Sequence, residues 1–197
     1  MVSHPVRSVR SATGMTLAEL MIVVAIIAIA AGAAIPTFNQ SIKILKLGSG
    51  MRQMESELQT ARLRSVATSQ PLQVRFNCPA SGQYRIVQVT GNAAIDNDTS
   101  RCSTAKYPYP PTLNLQAGPN LDGPIRYMPS DVTLNGATDK SNFPVSWVQF
   151  NANGTMTPPT GTAAPINITM QVLLKSGTGG TQMKTVVVTQ LGRVYAQ

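Results

Sequence analysis

The sequence is short of charge, of aromatic rings and above all of histidine. Only 12% of its 197 residues are charged and 5% are aromatic. The single histidine is His4, so the rest of the chain has no imidazole for general acid–base work or metal binding. The eight acids are scattered, most of them in turn-like stretches, and no glycine-rich phosphate loop follows a strand pattern. No serine or cysteine stands beside a base signature, so enzyme chemistry is not expected. There are only two cysteines, Cys78 and Cys102, and their spacing does not suggest a metal site. The sequence calls for no metal and no cofactor. The Asp96-Asn97-Asp98 triplet has too few ligands for a calcium loop and reads as a turn.

What the chain does hold is Gly, Pro, Thr, Asn and Gln in quantity, with a formal net charge of +8. That composition reads as β-rich and exported. A basic balance of this size permits contact with nucleic acid or an anionic surface, and equally serves plain solubility. The dominant stretch is Leu20–Ile42, which carries no charged side chain. It is about the ~20 residues that a helix needs to cross a bilayer. One carboxylate, Glu19, stands at its leading edge, and Arg7 and Arg10 precede it. A secretory signal would place small cleavage-site residues after the apolar run. Here the unusual residue, Gly14, comes before it.

Gly14-Met15-Thr16-Leu17-Ala18-Glu19 resembles the class III leader and mature start of type IV pilins and pseudopilins. The resemblance implies that prepilin peptidase cuts after Gly14 on the cytoplasmic side and N-methylates Met15, which stands where phenylalanine is usual. Glu19 falls at the fifth mature position, and Pro36 falls where these helices carry their proline. Cleavage would leave 183 residues with a net charge of +6, because Arg7 and Arg10 leave with the leader. Roughly 128 residues beyond the helix suffice for one ordinary core. In an exported head the two cysteines favour a Cys78–Cys102 disulfide, worth ~3–4 kcal/mol by chain entropy.

Glu19 has a physical reading of its own. A carboxylate at the edge of an apolar helix costs several kcal/mol if it is buried unpaired. Either it stays among the lipid headgroups, or a positive group in the same layer pairs with it. The resemblance supplies the amine of a neighbouring subunit, a pairing that would set the register between helices.

These signals divide the chain into a leader, 1–14; a membrane and assembly helix, 15–42; an amphipathic helix, 43–70; and a β-rich head, 71–197. The leader arginines keep the leader cytoplasmic and the head periplasmic, with Lys43 and Lys46 a weaker opposing signal. Phe38, Ile42 and Leu45 form one apolar stripe, and Met51, Met54, Leu58 and Ala61 form another that should pack on the sheet. Arg52, Arg62 and Arg64 should face solvent. Pro36 predicts a kink and Gly48-Ser49-Gly50 a second weak point.

Beyond Pro71 the period becomes two. Strands are expected at Leu72–Phe76, Tyr84–Val89, Ile125–Met128, Val132–Leu134, Val145–Phe150, Ile166–Leu174 and Met183–Thr189, with a last strand near Leu191–Tyr195. Ser81-Gly82, Gly154 and Gly177–Gly180 mark turns. Residues 91–123 lack periodicity and include Tyr107-Pro108-Tyr109-Pro110-Pro111, read as a surface loop pinned by Cys102. The expected fold class is α+β, a long N-terminal helix packed on a head of antiparallel sheets.

Val148–Thr155, a long hairpin, and Val186–Val194 together resemble the GspH/FimT branch of minor pilins and type II secretion minor pseudopilins. The resemblance implies a structural subunit of the bacterial inner membrane that joins a pilus or pseudopilus, priming or capping the filament, with other pilins or pseudopilins as partners. DNA-binding members of that branch end in Gly-Arg-x-Arg. Here the positions read Gly192-Arg193-Val194-Tyr195. Arg193 could meet a phosphate and Tyr195 could stack on a base, giving weak DNA binding. Alternatively Gly192 makes a turn and Arg193 ends an edge strand.

Overall fold

The computed structural model describes residues 14–109, 122–142, 144–159, 162–173 and 180–197; the side chains of 33, 34, 36, 37, 172 and 173 lie outside this description. Residues 1–13 of the expected leader 1–14, the side chain of Pro36, Pro110-Pro111 and residues 177–179 of the expected turn therefore fall outside it. The chain forms two compact units, Met1–Asn39 and Gln40–Gln197.

Helix α1 spans Leu17–Thr68. Thr16 opens it by accepting the Glu19 N–H on its hydroxyl at 3.2 Å, which satisfies one of the unpaired amides of the first turn. It closes at Ser69, whose φ of 52° breaks the helical path, while the Gln70 N–H returns to the Ser65 carbonyl at 3.1 Å. In the second unit the helix buries Leu47, Gly50, Met54, Leu58, Ala61 and Ser65. Their spacing of three and four lays one stripe against the head. Met51 packs at the edge of this core. The expected weak point at Gly48-Ser49-Gly50 stays helical. Gly50 is a packing residue: a Cβ there would meet Met128 at 3.1 Å and Val132 at 3.4 Å.

Among the described residues the head holds two five-stranded sheets, and every pairing in them is antiparallel. The strands are β1 (Leu72–Phe76), β2 (Gln83–Gln88), β3 (Ile125–Tyr127), β4 (Val132–Thr138), β5 (Pro144–Val145), β6 (Trp147–Phe150), β7 (Met156–Thr157), β8 (Ile166–Leu173), β9 (Thr181–Val188) and β10 (Val194–Ala196). A short helix, α2, spans Ala93–Asp96. The first sheet runs β3-β2-β1-β6-β7 and the second β10-β9-β8-β4-β5. Leu72, Val74, Phe76, Val148 and Phe150 from the first sheet share one core with Ile166, Ile168, Met170, Val186 and Val188 from the second and with Leu58 and Ala61 of α1. At full burial each such side chain contributes on the order of 1.5–3 kcal/mol.

The opposite face of the first sheet is also covered. Across β1 and β2, Gln73 faces Val87 and Arg75 faces Arg85. Two like charges directly opposite repel unless acceptors surround them. The aperiodic stretch after β2 supplies those acceptors. Arg85, fully buried, donates to the carbonyls of Gly123 at 2.8 Å, Tyr107 at 2.8 Å and Cys102 at 3.2 Å. Arg75 donates to the carbonyls of Asp96 and Asp98. Burial pushes both guanidinium groups below their ordinary pKa. Cys78 and Cys102 form a disulfide that pins the same stretch.

Candidate functional site

Two regions matter, the start of α1 and the C-terminal edge. Gly14 and Met15 are exposed ahead of the helix, and Glu19 lies exposed in its first turn. Large apolar side chains then face outward in every direction: Leu20, Met21, Ile22, Val24, Ile26, Ile27 and Ile29 are all more than half exposed. A helix that is apolar all round does not satisfy itself in water and needs lipid or other helices around it. Among the described residues no helix is long and apolar enough to cross a membrane.

At the other end, β10 is joined to β9 by a turn at 189–193. The Gly192 N–H donates to the Thr189 carbonyl at 2.8 Å and the Thr189 N–H to the Arg193 carbonyl at 2.9 Å. Gly192 has φ 73° and sits against the Gly154 carbonyl, where any Cβ would overlap the oxygen. Arg62 of α1 binds both turns, its Nε reaching the Gly154 carbonyl at 2.9 Å and its Nη2 the Leu191 carbonyl at 3.4 Å. The expectation that Arg62 faces solvent is thus overturned. Its helical position turns it toward two carbonyls that the Gly154 and Gly192 turns leave without strand partners. Arg193, at the end of the turn, and Tyr195, on the edge strand β10, are both exposed.

A third cluster was not visible as a site in the sequence. Arg101 and Asp122 form a fully buried ion pair, with Nη2 to Oδ1 at 2.8 Å and a second contact from Nη1 to Oδ2. Asp122 also accepts the Gln88 N–H at 2.8 Å, and the Arg101 guanidinium lies 4.4 Å from the centre of the Tyr107 ring. Tyr107 donates its hydroxyl to Asp98 at 2.8 Å. This cluster anchors residues 91–109 and 122–123 over β1 and β2. Among the described residues no group of three or more His, Cys, Asp and Glu side chains converges.

Residues 9–35 match the family described as the prokaryotic N-terminal methylation motif. The chain carries a prepilin-type N-terminus. The match covers Gly14, Met15 and Glu19 together with most of the apolar run. The chain has no match among curated proteins. Among solved structures it is similar to the type IV minor pilin FimU of Pseudomonas aeruginosa, at 20% identity over 77% of this chain and 87% of that one, with a TM-score of 0.40. It is also similar to the minor pseudopilin EpsH of the type 2 secretion system of Vibrio cholerae, at 10% identity over 77% and 96% of the two chains, with a TM-score of 0.46. At these identities and TM-scores the two structures do not bear on what the chain binds.

Proposed function

We propose that the chain is a minor structural subunit of a type IV pilus or of a related pseudopilus, and not an enzyme. Prepilin peptidase cuts it between Gly14 and Met15 and methylates the new amine. The apolar half of α1 holds it in the inner membrane with its head in the periplasm, and then packs among other pilins or pseudopilins as it is incorporated. The carrying observation is a methylation motif at 9–35 that opens a helix continuous with the one buried in the head. Glu19 pairs with the methylated amine of a neighbouring subunit, because a carboxylate entering an apolar layer needs a positive partner.

Mass spectrometry of membrane-extracted protein tests the cleavage. A start at methylated Met15 supports it, and a start beyond Ala34 would reduce the segment to an ordinary signal peptide. Glu19→Ala should be processed and inserted but poorly incorporated; normal incorporation into sheared filaments or the assembly complex counts against the pairing. Deletion followed by parallel assays of piliation, twitching, secretion and DNA uptake separates pilus from type II secretion.

A second reading, a DNA-binding minor pilin, is favoured by one observation, the exposed Arg193 at the end of the turn and the exposed Tyr195 two residues on in β10. The packing of Gly192 on Gly154 and Arg62 gives that glycine a structural cause independent of DNA.

A further inference from the structure

β10 ends its sheet. Its inward groups are spent on β9. Tyr195 lies opposite Val187, the Arg193 carbonyl accepts from Thr189, and Gln197 and Thr185 exchange both bonds, at 2.8 and 3.4 Å. Main-chain groups alternate sides along a strand. The N–H and C=O groups of Val194 and Ala196 therefore point to the opposite edge, where no strand lies among the described residues. Alongside runs a groove of about 250 Å³, walled by β10 on one side and α1 on the other, and lined by Gln59, Arg62, Leu63, Gly192, Arg193 and Val194. Leu63 is 69% exposed there. No acid lines it.

We propose that this groove takes an extended, acid-bearing peptide segment of a partner protein, added as a further strand to β10. An unpaired strand edge is complementary to extended backbone, and the exposed Leu63 on the helix wall accepts an apolar side chain of the added strand. Arg193 then meets a carboxylate. A second copy of this chain fits poorly, since antiparallel β10 edges would bring two Arg193 side chains into one interface with no acid between 191 and 197. Nucleic acid offers no alternating N–H and C=O ladder, and Arg62 is already committed to Gly154 and Leu191. The proposal goes beyond the assembly role of α1 and does not depend on it.

The test is fluorescence anisotropy on the full chain in detergent micelles. The probe is a fluorescein-labelled octapeptide, Thr-Val-Glu-Val-Thr-Val-Glu-Val. Controls are the same peptide N-methylated on alternate amides, the same peptide with Lys for Glu, and a single-stranded oligonucleotide. Saturable binding is expected, falling at least tenfold with the N-methylated peptide and with Leu63→Glu. Ala196→Pro removes only an outward N–H and should weaken binding tenfold with the Tm retained. If that variant unfolds, Leu63→Glu and the N-methylated peptide carry the test. Arg193→Glu should lose the acidic peptide and gain the lysine one. No saturation at peptide concentrations on the order of 1 mM, binding indifferent to N-methylation, or binding of the oligonucleotide alone would each overturn the proposal. None of these outcomes touches cleavage at Gly14 or pairing by Glu19.

Discussion

Gly192 lies directly on the carbonyl of Gly154, and the same oxygen accepts the Arg62 guanidinium at 2.9 Å. Three segments far apart in sequence, the helix, the turn after β6 and the turn before β10, meet on one oxygen. Met156 reinforces the junction by donating its N–H to the Gln190 carbonyl at 2.8 Å, which ties β7 of the first sheet to the last turn of the second.

Gly192→Ala should be strongly destabilising. A left-handed φ costs an L-residue about 1–2 kcal/mol, and overlap with the Gly154 oxygen adds to it. Gly82 has a similar φ of 74° but open space around it. Gly82→Ala should therefore show the backbone cost alone. Thermal unfolding of the two variants side by side checks this, and equal losses would remove the packing argument. Arg62→Met should cost about 1.5–3 kcal/mol, the range for hydrogen bonds to charged groups.

Asp122→Asn should cost about 3–5 kcal/mol, because it leaves Arg101 buried without its counter-charge. Replacing both partners, Arg101→Met with Asp122→Leu, should recover most of that loss. Denaturant unfolding of the single and double variants measures the coupling. Additive losses would mean that the pair does not act as a unit.

The Asp98 carboxyl is held down to about 2, first by the hydrogen bond from Lys106, then by the Ser100 N–H and the Tyr107 hydroxyl. The sign follows from the depressed folded value. Stabilisation from Asp98 is complete above the ordinary carboxylate range and is lost as pH falls through about 2. An NMR titration of the Asp98 carboxyl should give a midpoint near that value, and Lys106→Met should move it upward. An unmoved midpoint would assign the shift to the remaining donors.

DNA binding by the chain should be weak, independent of base sequence and salt-sensitive, or absent. Each phosphate contact contributes roughly one unit to the salt slope, and Arg193 is the exposed cation of its turn and strand. Arg193→Ala should abolish what a mobility shift detects, and Tyr195→Arg should strengthen it. Tight binding unaffected by Arg193→Ala would move the patch elsewhere, toward Arg52 or Arg64.

Much of the architecture was legible in the residue order. The buried stripe Met54, Leu58 and Ala61 follows helical spacing, and Leu72, Val74 and Phe76 follow strand spacing, because burial of one face imposes the period of the backbone on the sequence. The α+β class came from the same kind of local evidence, and the pairing of Cys78 with Cys102 from there being just two cysteines in an exported head. The alternation in β1 did not reveal that its polar face is covered. The acceptors of Arg75 and Arg85 lie in a stretch with no period. The signal available was the number of arginines in a chain so poor in acids.

The sequence by itself determined the processing motif, the uncharged run, the helix stripe and most of the strands, since each depends on neighbours within a few residues. Only the tertiary structure decided where Arg62, Arg85 and Arg101 point. Their partners lie 92, 38 and 21 residues away, at Gly154, Gly123 and Asp122. A guanidinium finds its acceptors among carbonyls and carboxylates that folding leaves unpaired, and which ones remain unpaired is settled only when the strands and turns have met.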